Sequence, residues 1–244
     1  MRMIVLAAAW VMLAAVVLGY SAAQEALLLR TDPGAIPARV ALAELAAARG
    51  RPLFDARCSG CHGAEGRGDP ARGIPDLTDA DWLYGGGTVE DIEQVVRYGI
   101  RSHHPKSWDL ASMPAYATAR PSARDARIEP LPPGDIRDVV ERLRQLEGSP
   151  SDAAAAARGA QIFLGRGACY DCHATDAKGD SAIGAPNLTD RVTLYGDGSR
   201  GSLERSIEIG RHGMCPAWEG RLSAAAMREV AVFVYRLSHR SAAR

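Results

Sequence analysis

From Met3 to Ala23 the chain runs for 21 residues without a charge, preceded by Arg2. As a helix, such a run covers about 30 Å, enough to cross the hydrocarbon core of a bilayer. It predicts a membrane anchor over residues 1–23, with Arg2 inside and everything after Gln24 on the outer face. The competing reading is a secretory signal cleaved after Ala23, since Ser21 and Ala23 are small residues at the right separation. Residues 24–37 read as a linker broken by Pro33 and Pro37. Further on, Ile136, Val139, Val140, Leu143 and Leu146 repeat with helical period, and residues 225–239 are more apolar all round. Leu53 and Phe54, and later Ile162 and Phe163, belong to helices that lead into cysteine-bearing turns. No alternating strand pattern of useful length occurs, so the predicted fold is mainly α.

The pattern repeats. CSGCHG at 58–63 and CYDCHA at 169–174 lie 111 residues apart (169 − 58). The same offset carries Pro75, Leu77 and Thr78 onto Pro186, Leu188 and Thr189, Tyr84 onto Tyr195, and Gly99 onto Gly210. The chain is therefore two copies of one unit. The first domain is expected over 38–148 and the second over 158–244, with a small-residue linker at 149–157 around Pro150. Each copy also carries a sulfur residue before Pro-Ala-aromatic, SMPAYA in the first and GMCPAW in the second. Met113 thus corresponds to Cys215, with Met214 beside it.

Basic and acidic residues balance at 29 each, with no long basic block, which argues against a nucleic-acid partner. Four of the five cysteines fall in the two C-x-x-C pairs, leaving Cys215 over.

C-x-x-C-H carries its chemistry in its spacing. Two cysteines three apart on a helical turn can each form a thioether to one haem edge, and the adjacent histidine then lies beneath the iron. Zinc would need further ligands in each copy, available only from His103 and His104 in the first and from Cys215, His212 or His239 in the second. A thioredoxin-like site would need a βαβ context that the pattern lacks. Two matches in equivalent places predict two covalently bound c-type haems, on Cys58 and Cys61 with His62, and on Cys169 and Cys172 with His173. His103, His104 and Trp108 otherwise read as part of a surface loop, where the first copy is nine residues longer than the second.

The units resemble class I cytochromes c. RYGIRSHHPKSWDLASMPAYA, together with APNLTD, LYG and IGRHG followed by CPAW, resembles the two haem domains of the dihaem subunit III of cbb3-type cytochrome c oxidases. The resemblance covers most of residues 45–239. It implies two tandem class I cytochrome c-like domains after an N-terminal hydrophobic helix. It also implies that the carbonyls of Pro75 and Pro186 accept the second ring N–H of each iron-ligating histidine. Met113 becomes the sixth ligand of the first haem, paired with His62. At the second haem, opposite His173, three readings stand: Cys215 as thiolate, Met214 in its place, or an open position. A thiolate there would set that haem's potential below its neighbour's.

The family passes electrons from cytochrome c or the bc1 complex toward a terminal oxidase. The resemblance therefore implies a respiratory electron carrier, without catalytic residues of its own, in the bacterial inner membrane with its haem domains on the periplasmic side. After signal cleavage it would instead be soluble in the periplasm. The alternatives are an oxidoreductase acting on a small substrate such as a sulfur compound at a His/Cys haem, or the cytochrome subunit of a periplasmic dehydrogenase. The chain departs from the family in a short N-terminal region and in Cys215, where the family has methionine.

Overall fold

The computed structural model describes residues 2–118 and 128–239. Residues 119–127, part of the stretch between the first sulfur segment and its closing helix, lie outside them. Among the described residues the regular structure is helical: α1 (Arg2–Arg30), α2 (Val40–Arg57), α3 (Ser59–His62), α4 (Val89–Tyr98), α5 (Pro133–Leu146), α6 (Ala153–Leu164), α7 (Tyr170–His173), α8 (Arg200–Ile209) and α9 (Ala224–Ser238). Among the described residues, strand-type pairing is confined to isolated bridges.

Local chemistry sets the boundaries. Thr88 caps α4 through a reciprocal capping box with Asp91, while the side chains of Asp152, Ser199 and Ser223 cap α6, α8 and α9. α1 continues past Ala23 to Arg30, and Leu28 and Ile36 are buried in the first core. The expected linker at 24–37 is therefore partly structural: its apolar residues find a hydrophobic surface to cover. Likewise α6 begins at Ala153, inside the expected second linker, because Asp152 offers a cap and the alanines favour helix. Most side chains of the apolar run in α1 lie outside the described ones, and among the described residues no helix is long and apolar enough to cross a membrane.

The two copies are not the two packing units. α5, which closes the first copy, packs on α6 and α8 of the second, and α9, which closes the second, packs on α2 and α4 of the first. One core joins Leu42, Ala46, Phe54, Val89 and Ile92 to Val230, Phe233 and Leu237. The other joins Tyr116, Ile136, Val139 and Leu143 to Ile162, Phe163 and Ile207. The crossings are tight. A Cβ on Gly50 of α2 would stand 2.1 Å from the Glu229 carbonyl oxygen of α9, and one on Gly159 of α6 would stand 2.0 Å from that of Asp138 in α5. The Phe54 and Phe233 rings meet at 5.2 Å beside the first crossing.

Exchange of the closing helices has a simple cause. Only residues 147–152 separate α5 from α6, and so short a connection makes consecutive helices antiparallel neighbours. α5 then occupies the surface α9 would have covered, and α9 takes the equivalent place on α2. The loops follow the same two-fold relation: Gly85 N–H donates to the Ser181 carbonyl at 3.1 Å, and Gly196 N–H to the Pro70 carbonyl at 2.9 Å.

Candidate haem sites

α3 and α7 are single turns that present Cys58, Cys61 and His62, and Cys169, Cys172 and His173. In each, the histidine N–H bonds back to the carbonyl of the first cysteine, at 3.0 Å and 2.9 Å. His62 Nδ1 lies 3.3 Å from the Pro75 carbonyl oxygen, and His173 Nδ1 lies 3.0 Å from that of Pro186. A carbonyl only accepts, so Nδ1 carries the hydrogen and Nε2 keeps its lone pair. Burial pushes both imidazole pKa values down, against the opposing effect of the proline carbonyls, which favours the neutral ring an iron needs.

The proline loops repeat for a reason visible in their hydrogen bonds. Asp76 Oδ1 accepts from both the N–H and the hydroxyl of Thr78 at 2.7 Å, and Asn187 does the same for Thr189 at 2.9 and 2.8 Å. This turn lets Leu77 pack against the first core and Leu188 against the second.

All five cysteines are free of disulfide bonds. Burial raises the thiol pKa to about 11 at both Cys58 and Cys169, so neither has the stabilised thiolate of a redox or zinc cysteine. Among the described residues no group of three or more His, Cys, Asp or Glu side chains is placed to hold a bare metal ion.

The donor set fits a covalently attached haem at each turn: two thiols and a neutral imidazole held by its other nitrogen. A second observation points the same way. Arg101 Nη1 donates to the Tyr84 hydroxyl at 3.0 Å and Nη2 to the Ala111 carbonyl at 2.6 Å, while its buried Nε has no hydrogen-bond partner and lies 3.9 Å from Asp109. A haem brings propionates, for which a buried guanidinium N–H is a suitable donor. Arg211, by contrast, bonds Ser206 at 3.1 Å and lies over the Tyr195 ring at 4.3 Å, and Arg221 covers the Trp218 ring at 4.1 Å. The signal available for Arg101 was its place in the ligand loop, two residues after the shared glycine.

The sulfur residues lie where the helix exchange puts them. Met113, expected with His62, instead packs against the second core beside Cys169. Its neighbour Tyr116 hydrogen-bonds the Gly167 carbonyl. Cys215, expected with His173, lies with the first turn. Its thiol pKa is pushed up to about 12, by burial and then by the nearby Cys58 and Cys61. The expected pairing is therefore reversed in space, because each sulfur segment travels with the closing helix that follows it. Met214 is 74% exposed and His212 is also exposed, so both are turned to solvent.

The first copy's longer loop lies over the end of α4. His104 stacks on Tyr98 and its Nε2 lies 3.0 Å from Glu219, while Trp108 meets Tyr84 edge-on at 5.6 Å. His103 is exposed.

Comparison with known proteins agrees with this chemistry. Residues 47–147 match the family cytochrome c, and residues 154–234 match cytochrome c oxidase, cbb3-type, subunit III. The cbb3-type cytochrome c oxidase subunit CcoP of Rhodobacter capsulatus is 38% identical over 223 residues, covering 88% of this chain and 70% of that protein. The chain belongs to the cbb3-type subunit III family.

Two further members are the FixP subunits of Bradyrhizobium sp. strain ORS 278, 41% identical over 197 residues, and Bradyrhizobium diazoefficiens, 39% over 199. The matches take in 79% and 81% of this chain but 61% and 63% of those proteins, so the chain spans about three fifths of their length. As a subunit III chain it has two cytochrome c domains, of the kind that binds haem c covalently.

Proposed function

We propose that this chain is a dihaem electron carrier that delivers electrons to a cbb3-type terminal oxidase. One observation carries the reading: the C-x-x-C-H turn and its histidine-to-proline hydrogen bond occur twice in the same geometry, in a member of the oxidase subunit III family. The haems would be attached through Cys58 and Cys61, and through Cys169 and Cys172. When bound, each supplies an iron that cycles between ferric and ferrous states. The protein's own residues do the rest. His62 and His173 offer Nε2 to iron while Pro75 and Pro186 fix their rings, Arg101 offers a buried cation, and the two apolar cores limit the water that reaches each site.

The relatives are oxidase subunits by name, and the same role here makes the oxidase the acceptor, with cytochrome c or the bc1 complex as donor. The uncharged run of α1 serves as the anchor in the inner membrane, with the haem domains on the periplasmic side. These assignments have a direct test. Protein exported alongside a haem-attachment system should retain two haems per chain after denaturation. When reduced, it should be reoxidised by air only in the presence of a cbb3 oxidase. Zinc without haem, or oxidation indifferent to the oxidase, contradicts the proposal.

A further inference from the structure

We propose that Arg101 is a positioning residue common to both haem sites: from between the two sulfur segments, its one buried cation sets the level of both reduction potentials. This rests on the dihaem reading above and goes beyond it, because it gives the two sites a single shared control.

The guanidinium bonds both segments. Its Nη1 donates to the Gly213 carbonyl at 2.8 Å and its Nη2 to the Ala111 carbonyl at 2.6 Å. Gly213 stands two residues before Cys215 and Ala111 two before Met113, so the two acceptors are equivalent positions of the repeat. Two residues of chain span about 7 Å at most, which puts one cation beside both sulfur residues. The planar fork of arginine suits two carbonyls at once, whereas lysine supplies the charge without the fork.

The loop is shaped around this residue. Arg101 has φ +47°, in the left-handed region that non-glycine residues seldom adopt, a kind of strain that clusters at functional positions. Its N–H donates to the Trp108 carbonyl at 3.1 Å, and Trp108 N–H donates to the Gly99 carbonyl at 3.2 Å. Trp108 lies in the stretch where the first copy is nine residues longer than the second, so the extra chain closes on Arg101. In the second copy the equivalent position is His212, which is exposed. One copy therefore supplies the cation for both.

The surroundings preserve the charge. The Tyr84 hydroxyl accepts from Nη1 at 3.0 Å, and the Tyr84 ring leaves no room for a Cβ on Gly184 of the second copy, so the cation sits at the seam between the copies. Nε is buried without a hydrogen-bond partner, and Asp109, 3.9 Å away, has a side chain nearly half exposed to water. A buried cation bonded to carbonyls and a hydroxyl is little screened, and its field reaches further than it would in water.

The consequence is a division of labour. Reduction adds one electron to an iron, so a nearby cation favours the reduced state and raises the potential. A common cation moves both potentials together. The sulfur residues, which differ, set the step between them.

The test is an optical redox titration of the haem-loaded full chain. Arg101→Gln should shift both transitions to lower potential, and Arg101→Lys, which restores the charge, should return both toward their wild-type positions. A shift confined to one transition overturns the shared control. Two unmoved transitions with stability alone reduced leave Arg101 as packing and overturn the proposal. A wild-type chain that takes up fewer than two haems overturns the dihaem reading itself.

Since Arg101→Gln can also loosen the fold, a second variant reads the same field from an exposed position. Asp109→Asn removes the anion that faces Arg101 Nε and should raise both transitions. A rise in one alone, or in neither, overturns the proposal.

Discussion

The two haem units are built from the same parts and supported by different means. In the first, Glu93 of α4 is 5% exposed and accepts from Arg97 at 2.7 Å and from Arg228 of α9. Arg228 also reaches the Leu28 and Thr31 carbonyls at the end of α1, at 3.3 and 3.2 Å. In the second unit the corresponding links lie at the surface. Arg158 meets Asp138 at 2.7 Å and Arg200 meets Glu141 at 2.5 Å, with both arginines at least half exposed. The repeat preserves the cysteines, the histidine and the proline of each turn and leaves the supporting charges free to differ. Among the described residues, the buried ion network lies where a third element, α1, is tied in.

The largest expected effect sharpens the contrast between the sites. Cys215→Met should raise the lower of two redox transitions on the order of tenths of a volt, leaving both sites with His/Met ligation. A redox titration monitored optically would read it. Met214→Leu, at an exposed sulfur, should move neither transition.

Next in size is the first unit's buried network. Glu93→Ala leaves Arg228 without its carboxylate and Arg97 with only Glu219, at 3.6 Å, and should destabilise by about 3–5 kcal/mol. The matching change at the second unit's surface, Glu141→Ala, should cost about 0–1 kcal/mol. Equal losses in denaturant titrations of the two holoproteins would remove the distinction between the units.

The helix crossings should behave alike despite these differences. Gly50→Ala and Gly159→Ala each drive a methyl group into a facing backbone, and each should destabilise by about 1–3 kcal/mol. A loss at only one position would mean that the other crossing has room for a methyl group.

The smallest effect is a pH dependence at the surface of the second unit. Arg200, and then the Asp152 N–H, hold the Glu141 carboxyl below its ordinary value of 4.5. A depressed folded pKa contributes stability above the unfolded value and loses it as pH falls through the folded one. Wild type should therefore exceed Glu141→Gln slightly at neutral pH, by under about 1 kcal/mol, and the two should converge on acidification below about pH 4. Chemical denaturation across that range checks the sign.

Much of each site could be read along the chain. The recurring C-x-x-C-H and P-[DN]-L-T segments specify local turns, and the structure forms them with the expected histidine-to-proline hydrogen bonds. What could not be read was which unit each closing helix joins. Ile136, Val139, Val140 and Leu143 mark the buried face of α5, but an apolar face records that it is covered and not by what. The deciding signal was the shortness of residues 147–152, a property of the connection and not of either helix. The placement of Met113 beside Cys169, and of Cys215 near Cys58 and Cys61, was hidden for the same reason, since both loops follow their helices. Arg101 was missed for another reason: a lone arginine in a loop has no periodicity, and only its burial sets it apart.

The α9 crossing also dictates an order of events during synthesis. For a chain exported N-terminus first, Cys58 and Cys61 emerge early, while the loop and α9 that cover the first core leave the channel after α5–α8. The second pocket receives α5 in advance and can close as soon as α8 has passed. The usual sequence, in which an N-terminal domain folds while the remainder is still being made, is thereby inverted. In such an export the first pair of thiols would stay accessible until α9 follows, and the site encoded first would be completed after the second.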